Sequence, residues 1–175
     1  SAVKKYERKF NGRKTSQLRV SAKEIKEAES KISREEVTAL QTMSARLWSS
    51  SPKIQISGPR KFVAIPSVGC YIPGGQARYP SSVIMSVIPA KIAGVKRIVV
   101  ISPPGRDGKI DPLTIVAAKK CGATEIYKVG GAQAIGALAY GIKSIPKVDK
   151  IVGPGGKFVS IAKLLVSDQT AIDMV

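Results

Sequence analysis

The chain has 175 residues, of which 43% are apolar and 23% charged. This is the balance of a globular protein, with room for one full domain and a smaller partial one. Only 5% of the residues are aromatic, so the core must consist mainly of Ile, Val, Ala and Leu. The two cysteines, Cys70 and Cys121, form no C-x-x-C motif, and we predict buried thiols in a reducing compartment. Neither a signal peptide nor an apolar stretch of membrane-spanning length is recognisable. We therefore expect a cytoplasmic protein without a membrane partner.

The net charge of +17 raises the hypothesis of a nucleic-acid-binding protein. The excess is spread evenly, because residues 1–65 carry 15 basic and 6 acidic side chains and residues 66–175 carry 14 and 6. There is no basic tail and no basic motif interleaved with aromatic residues. The pattern therefore does not favour nucleic-acid binding as the main function, and we keep it as a second alternative.

The first third of the chain is predicted to be helical. Ser21 with Glu24 and Ser33 with Glu36 have the spacing of capping boxes, which mark helix starts. Apolar residues then recur at helical spacing and predict an amphipathic helix that ends near residues 49–52. They are Val37, Leu40, Met43 and Leu47, with Trp48 beside them. Residues 52–68 are broken by glycine and proline and are interpreted as a connector.

From Gly69 onwards, strands and helices alternate with a pitch of about 25 residues, the size of a βα unit. The fold class we predict is α/β, a Rossmann-like parallel sheet with helices on both faces, preceded by a small helical segment of an incomplete first domain. Helices are predicted to begin at Pro80, at Asp111–Pro112, after Gly130 and at residue 157. Strands are predicted at residues 70–72, 97–102, 125–129, 149–152 and 171–175. The domain division is residues 1–68, residues 69–170, and a strand at 171–175 that returns towards the first domain.

Three of the predicted strands end in glycine clusters, at residues 71–75, 129–133 and 152–156. Ligands of parallel sheets bind beyond the carboxyl ends of the strands. The last two clusters also lead into helix starts, which favour an anion such as a pyrophosphate. Each loop alone is explained by a tight turn, and neither G-x-G-x-x-G nor a P-loop motif is present. Three loops on one edge nevertheless favour a nucleotide-type site.

Two side chains next to these glycines are candidates for ligand contacts. Tyr71 is either a half-buried aromatic or a wall against a nicotinamide or adenine ring, and Gln133 is either a solvated first-turn residue or a hydrogen-bonding partner. The chain contains no histidine, so no Ser-His or Cys-His pair exists, and the Cys, Asp and Glu residues lack metal-site spacing. We therefore predict no catalytic residue and no metal ligand within residues 1–175.

Five blocks of sequence follow one another from residue 71 onwards. They are YIPGG (Tyr71–Gly75), YPSSVIMSVIPAKIAGV (Tyr79–Val95), KVGGAQAIGALAYG (Lys128–Gly141), IPKVDKIVGPGG (Ile145–Gly156) and AIDM (Ala171–Met174). In this order they resemble the histidinol dehydrogenase family, and the resemblance covers residues 69–175. The first 50 residues resemble that family's N-terminal helical segment weakly.

The resemblance implies an enzyme of histidine biosynthesis that oxidises L-histidinol to L-histidine in two NAD-dependent steps through an aldehyde. It implies a zinc-containing homodimer, with residues 69–170 on the cofactor side. It assigns NAD contacts to Tyr71, Pro73, Gly74 and Gln133. A further family contact is the Asn that ends a GPGN motif, and Gly156 occupies that position here, without the side-chain amide.

The family's zinc ligands (a Gln, two His and an Asp) and its catalytic Glu-His pair follow a G-P-S-E motif that lies beyond the last residue here. The resemblance therefore implies that residues 1–175 alone are inactive and hold no zinc. The alternative that we keep open is a non-catalytic α/β module that binds a nucleotide or a partner chain on the same loops.

Overall fold

The computed structural model describes residues 2–11, 17–51, 63–74 and 77–173. Within these residues, five parallel strands form one sheet in the order β3-β2-β1-β4-β5. The parallel α/β fold predicted from the alternating pattern is confirmed. The strands are β1 (Ser67–Tyr71), β2 (Arg97–Ser102), β3 (Glu125–Lys128), β4 (Lys150–Val152) and β5 (Ala171–Ile172).

Helices cover both faces of this sheet. Because neighbouring side chains of a strand point to opposite faces, Ile98 and Val100 pack in one hydrophobic cluster with α4 and α5. Val99 packs in a second cluster with α6 and α7. No helix in the described part of the chain is long and apolar enough to cross a membrane. The helices are α1 (Ala2–Asn11), α2 (Ala22–Glu29), α3 (Arg34–Ser50), α4 (Pro80–Ile92), α5 (Pro112–Cys121), α6 (Gly131–Tyr140) and α7 (Lys157–Leu165).

The helix starts predicted from capping residues are confirmed. The Ser21 side chain accepts a hydrogen bond from the Glu24 N–H (3.2 Å), and the Glu24 carboxylate accepts one from the Ser21 N–H (2.8 Å). The second capping box, at the start of α3, is formed in the same way. Asp111 caps α5 through the Thr114 N–H at 3.2 Å. Each cap satisfies backbone donors that a helix leaves unpaired at its first turn.

The strand bounds differ in part from those predicted. β1 begins at Ser67, inside the predicted connector, because residues 67–71 are all buried between the two helical layers. Residues 52–62 of that connector lie outside the described residues. Of the strand predicted at 171–175, residues 171 and 172 pair with β4 in the same sheet, and residues 174–175 lie outside the described part. The division into domains at residues 68 and 170 stays a prediction.

The N-terminal segment packs directly on the sheet domain. Residues 18–20 run along the edge strand β3, where the Val20 N–H donates to the Ile126 carbonyl at 2.8 Å and the Lys128 N–H donates to the Leu18 carbonyl at 2.7 Å. Helices α2 and α3 lie against α4 and α5. The apolar face predicted for α3 is buried at Leu40, whereas Trp48 is 54% exposed.

A charged cluster links the sheet to the loop before β4, at the edge opposite the glycine loops. Arg97 donates to the Glu125 carboxylate at 2.7 Å and to the Pro146 and Lys147 carbonyls at 3.1 and 2.9 Å. The Tyr127 hydroxyl donates to the same carboxylate at 2.6 Å. Burial raises the pKa of Glu125, but the hydrogen bonds from Arg97 and Tyr127 outweigh it and hold this pKa below its usual value.

A carboxyl group whose pKa is lowered by folding stabilises the fold above its unfolded pKa, and this stabilisation is lost as the pH falls towards the folded value. We therefore expect Glu125→Gln to lower the free energy of unfolding by about 1–3 kcal/mol at pH 7. We expect a smaller difference from the parent chain at pH 3. Urea denaturation at both pH values measures this. The exposed Glu29→Gln variant is the control, and a difference for Glu125→Gln that is equal at both pH values would contradict the assignment.

Candidate functional site

The three glycine-rich segments leave the sheet at one edge. Because the strands are parallel, the carboxyl ends of β1, β3 and β4 face the same side, as predicted from the sequence. Residues 72–74 follow β1, residues 129–131 follow β3, and residues 153–156 follow β4. Residue 75, the last glycine of the first cluster, lies outside the described residues.

The direction in which successive strands are added to the sheet changes at β1. Strands β2 and β3 lie on one side of β1, and β4 and β5 lie on the other. In open parallel sheets the crevice at this switch point is the usual ligand site. Here it lies between the ends of β1 and β4, where Tyr71 and Gly153 are in contact.

Tyr71 joins two of the three loops. Its side chain is only 5% exposed and packs in the cluster beneath α6, and its hydroxyl accepts a hydrogen bond from the Gly131 N–H at 3.2 Å. Burial raises the pKa of Tyr71, and the Glu7 carboxylate raises it further, against the effect of the Gly131 N–H. The phenol is therefore protonated at neutral pH.

Gln133 lies in the first turn of α6, as predicted, and it has an unexpected partner. Its side-chain amide donates to the Glu7 carboxylate of α1 at 2.8 Å. The same Glu7 oxygen accepts the Gly130 N–H at 3.3 Å, and Glu7 is fully buried. Sequence reasoning missed Glu7. The available signal is that Glu7 lies four residues after the buried Val3 and thus on the apolar face of α1.

Pro73 and Gly74 line a hollow of about 350 Å³ between the loops that follow β1 and β2, and Gln133 is not among its lining residues. Arg78 and Asp111 line the same hollow and form an ion pair at 2.9 Å. A Cβ built on Gly74 would lie 2.9 Å from the Pro103 carbonyl oxygen. The backbone of this loop is therefore packed closely against the next one.

The loop after β4 is fixed by an ion pair between a buried lysine and a half-buried aspartate. The Lys163 ammonium group donates to the Gly153 carbonyl at 3.1 Å and pairs with Asp173. The Asp173 carboxylate accepts the Gly153 N–H at 2.7 Å. Both backbone groups of Gly153 are thus bound by side chains, and Lys163 is 3% exposed. Sequence reasoning missed Lys163, which follows Val159 and Ala162 on the buried face of α7.

Gly156 is the N-cap of α7 and is exposed. No side chain caps α7, and a Cβ built on Gly156 would meet no atom within 4 Å. This leaves space for a larger side chain and for a ligand beside the first turn of the helix. A second, mainly apolar hollow of about 960 Å³ reaches Gly153 and Pro154 from the α4 side of the sheet.

The described residues contain no group of three or more His, Cys, Asp or Glu side chains placed to hold a metal ion. Cys70 is buried, and burial, together with the nearby Asp173, raises the pKa of its thiol to about 12. Cys121 is half-buried, and burial raises its pKa as well. Both cysteines are therefore thiols at neutral pH, and within the described part of the chain neither belongs to a group of three potential metal ligands.

A parallel sheet with glycine loops at its switch point defines a Rossmann-like α/β protein with a ligand crevice at the carboxyl edge. Comparison with known proteins narrows this class, because the family model for histidinol dehydrogenase matches residues 1–175. The chain belongs to the histidinol dehydrogenase family.

Curated relatives and a solved structure agree with this assignment. Histidinol dehydrogenase of Oceanobacillus iheyensis is 43% identical over 99% of this chain and 43% of its own length. That of Bacillus licheniformis is 45% identical over the whole of this chain and 44% of its own length. The crystal structure of the Elizabethkingia anophelis enzyme superimposes with a TM-score of 0.90 at 36% identity, covering 99% of this chain and 43% of the other. The chain therefore spans less than half the length of these relatives.

Gly153 has no space for a Cβ, whereas Gly156 has, and a matched pair of alanine variants tests this difference. Gly153 has φ of 108°, and a Cβ there would lie 2.1 Å from the Tyr71 carbonyl oxygen. We expect Gly153→Ala to lower the free energy of unfolding by at least about 2 kcal/mol, because it adds a left-handed strain to a backbone clash. Gly156→Ala should change it by less than about 1 kcal/mol. Chemical denaturation measures both, and equal effects would contradict the geometry of this loop.

Proposed function

We propose that this chain is the cofactor-side portion of an NAD-dependent histidinol dehydrogenase, in which the dinucleotide binds across the ends of β1 and β4. The observation that carries the proposal is that Tyr71 and the loop 153–156 meet at the switch point of the sheet, in a chain of this family. Bound NAD supplies the acceptor for the hydride removed in each oxidation.

The residues present fit a dinucleotide. The Tyr71 phenol, which comes from β1, and the Gln133 amide, which comes from α6, both lie at the start of α6. The N–H groups of the uncapped first turn of α7 face an anion favourably. Gly74 has no Cβ, so the loop that follows β1 packs closely against Pro103 in the loop that follows β2. We propose that these groups bind and orient the cofactor, with Pro73 and Gly74 alongside it.

Catalysis is proposed to need residues outside this stretch. Because the 175 residues contain no histidine, they provide no imidazole for zinc or for proton transfer. Zinc, the substrate L-histidinol and the proton acceptor are thus assigned to the remainder of a full-length enzyme, and residues 1–175 to cofactor binding without oxidation.

A homodimer in the cytoplasm is proposed by analogy with the family. Exposed apolar side chains on α7 support self-association, since Phe158 is 72% and Leu165 73% exposed.

The rival assignment, nucleic-acid binding, is favoured only by the charge of +17. Calorimetric titration at 50 and 200 mM salt separates the two. We expect NAD to saturate one site with a modest salt effect. A nucleic-acid-binding protein would bind an oligonucleotide with an affinity that falls by orders of magnitude over this range, because each phosphate contact releases counterions. Absence of NAD saturation would contradict the proposed function.

Removal of the Gln133 amide tests its place in the site. We expect Gln133→Ala to weaken NAD binding by about 1 kcal/mol, the contribution of one neutral hydrogen bond, or about fivefold in Kd. Calorimetry measures the change. Gln41→Ala, on the outer helix α3, is the control and should leave Kd unchanged. If Gln133→Ala does the same, Gln133 is not part of the site.

Restoring the family's side chain at position 156 should have the opposite effect. Gly156→Asn places an amide in the open space at the start of α7, and we expect NAD to bind about fivefold more tightly, again the contribution of about one hydrogen bond. Gly156→Ala is the matched control, because it adds a Cβ without a hydrogen-bonding group. Equal dissociation constants for the two variants would show that the amide makes no contact.

A further inference from the structure

The start of α6 already holds a carboxylate that the chain itself supplies. Glu7 of α1 accepts hydrogen bonds from the Gly130 N–H at 3.3 Å and from the Gln133 amide at 2.8 Å. Glu7 is fully buried, and the N-cap of α6 is a glycine with no side chain to cap the helix. The carboxylate therefore occupies the position at which a helix N-terminus attracts an anion.

We propose that Glu7 determines which part of a dinucleotide binds at this end of the site. The Glu7 carboxylate occupies the place at the start of α6 where an anion would otherwise bind. This end of the site therefore accepts hydrogen bonds from a nucleoside, either from its ribose hydroxyls or from its amino group, and excludes the phosphates. The inference rests on the proposed function in its choice of a dinucleotide as the ligand.

The first part of the argument concerns charge. A phosphate group next to α6 would lie close to the buried Glu7 carboxylate, and like charges beside a protein interior repel each other more strongly than in bulk solvent. Two backbone N–H groups at the start of α6 are also engaged, since Gly130 donates to Glu7 and Gly131 donates to the Tyr71 hydroxyl. A phosphate there would meet a negative group instead of the positive potential of a free helix start, and these two N–H donors would already be occupied.

The second part concerns the groups that remain. Glu7 binds the amide nitrogen of Gln133, and the amide oxygen lies beside Gly131, where a Cβ on Gly131 would be 3.0 Å from it. Gln133 is half-buried. An amide oxygen accepts hydrogen bonds only. The ligand group that faces it must therefore be a donor, which a ribose hydroxyl or an amino group is and a phosphate is not.

The test uses two fragments of the ligand, inorganic pyrophosphate and adenosine, and follows the backbone amide signals of residues 130–132 by NMR. In the parent chain, we expect adenosine to shift these signals in a saturable way and pyrophosphate to leave them unchanged. In Glu7→Gln, which keeps the size and an oxygen that can accept the Gly130 N–H, we expect pyrophosphate to bind near them at least tenfold more tightly. Glu29→Gln, which removes the same charge from the exposed part of α2, should behave like the parent chain.

A response of residues 130–132 to pyrophosphate in the parent chain overturns the proposal, and so does a lack of response to adenosine. Both measurements need no variant, so they decide the matter even if Glu7→Gln fails to fold. A merely structural role of Glu7 would lower the stability of the variant without creating pyrophosphate binding. The proposed function fails on a different result. It is contradicted if NAD does not saturate the chain, whether or not pyrophosphate binds.

Discussion

The contact between Tyr71 and Gly153 is the constraint on which the rest of the site depends. Strands β1 and β4 come together at this point, and the Tyr71 carbonyl leaves no space for a Cβ on Gly153. The backbone of Gly153 is held there by the pair of Lys163 and Asp173, which binds its carbonyl and its N–H. Lys163 is buried, and a buried charge needs a partner of opposite charge and hydrogen bonds. Asp173 and the Gly153 carbonyl supply them, and the same bonds set the position at which loop 153–156 enters α7.

Tyr71 extends this constraint to the next loop through its hydroxyl. The start of α6 is positioned by Tyr71 from below and by Glu7 from α1, so three segments far apart in the sequence define one rim. The N-terminal helix is thus packed against the start of α6 as well as being part of the fold. The assignment of residues 1–68 to an incomplete first domain stays a prediction.

Local chemistry explains what the sequence predicts well. A capping box needs only Ser21 and Glu24 three residues apart, and a buried parallel strand needs only a run such as Arg97–Ser102 between helical segments, so both are recognisable without tertiary information. The position of the glycine loops at one edge follows from the parallel order in the same way. Glu7 and Lys163 are different, because a charged residue on an apolar helix face has no visible partner until distant segments pack together. The partners of Gln133 and Gly153 could not have been predicted from spacing.

The high positive charge also has a structural explanation. Acidic side chains are scarce and mostly engaged within the chain: Glu24 pairs with Lys128, Glu125 with Arg97, and Asp173 with Lys163. Most of the other lysines and arginines that the structure describes are exposed, and they produce a positive field that attracts any polyanion and enhances its rate of encounter. Such a field cannot distinguish a dinucleotide from a nucleic acid. That distinction has to come from hydrogen bonds and charges at the start of α6, where Glu7 places a negative group inside a positively charged protein. A dinucleotide carries phosphates, which the positive field attracts, and hydroxyl or amino donors, which can approach Glu7 and Gln133. A uniformly charged phosphate backbone is attracted by the field but offers no such donors.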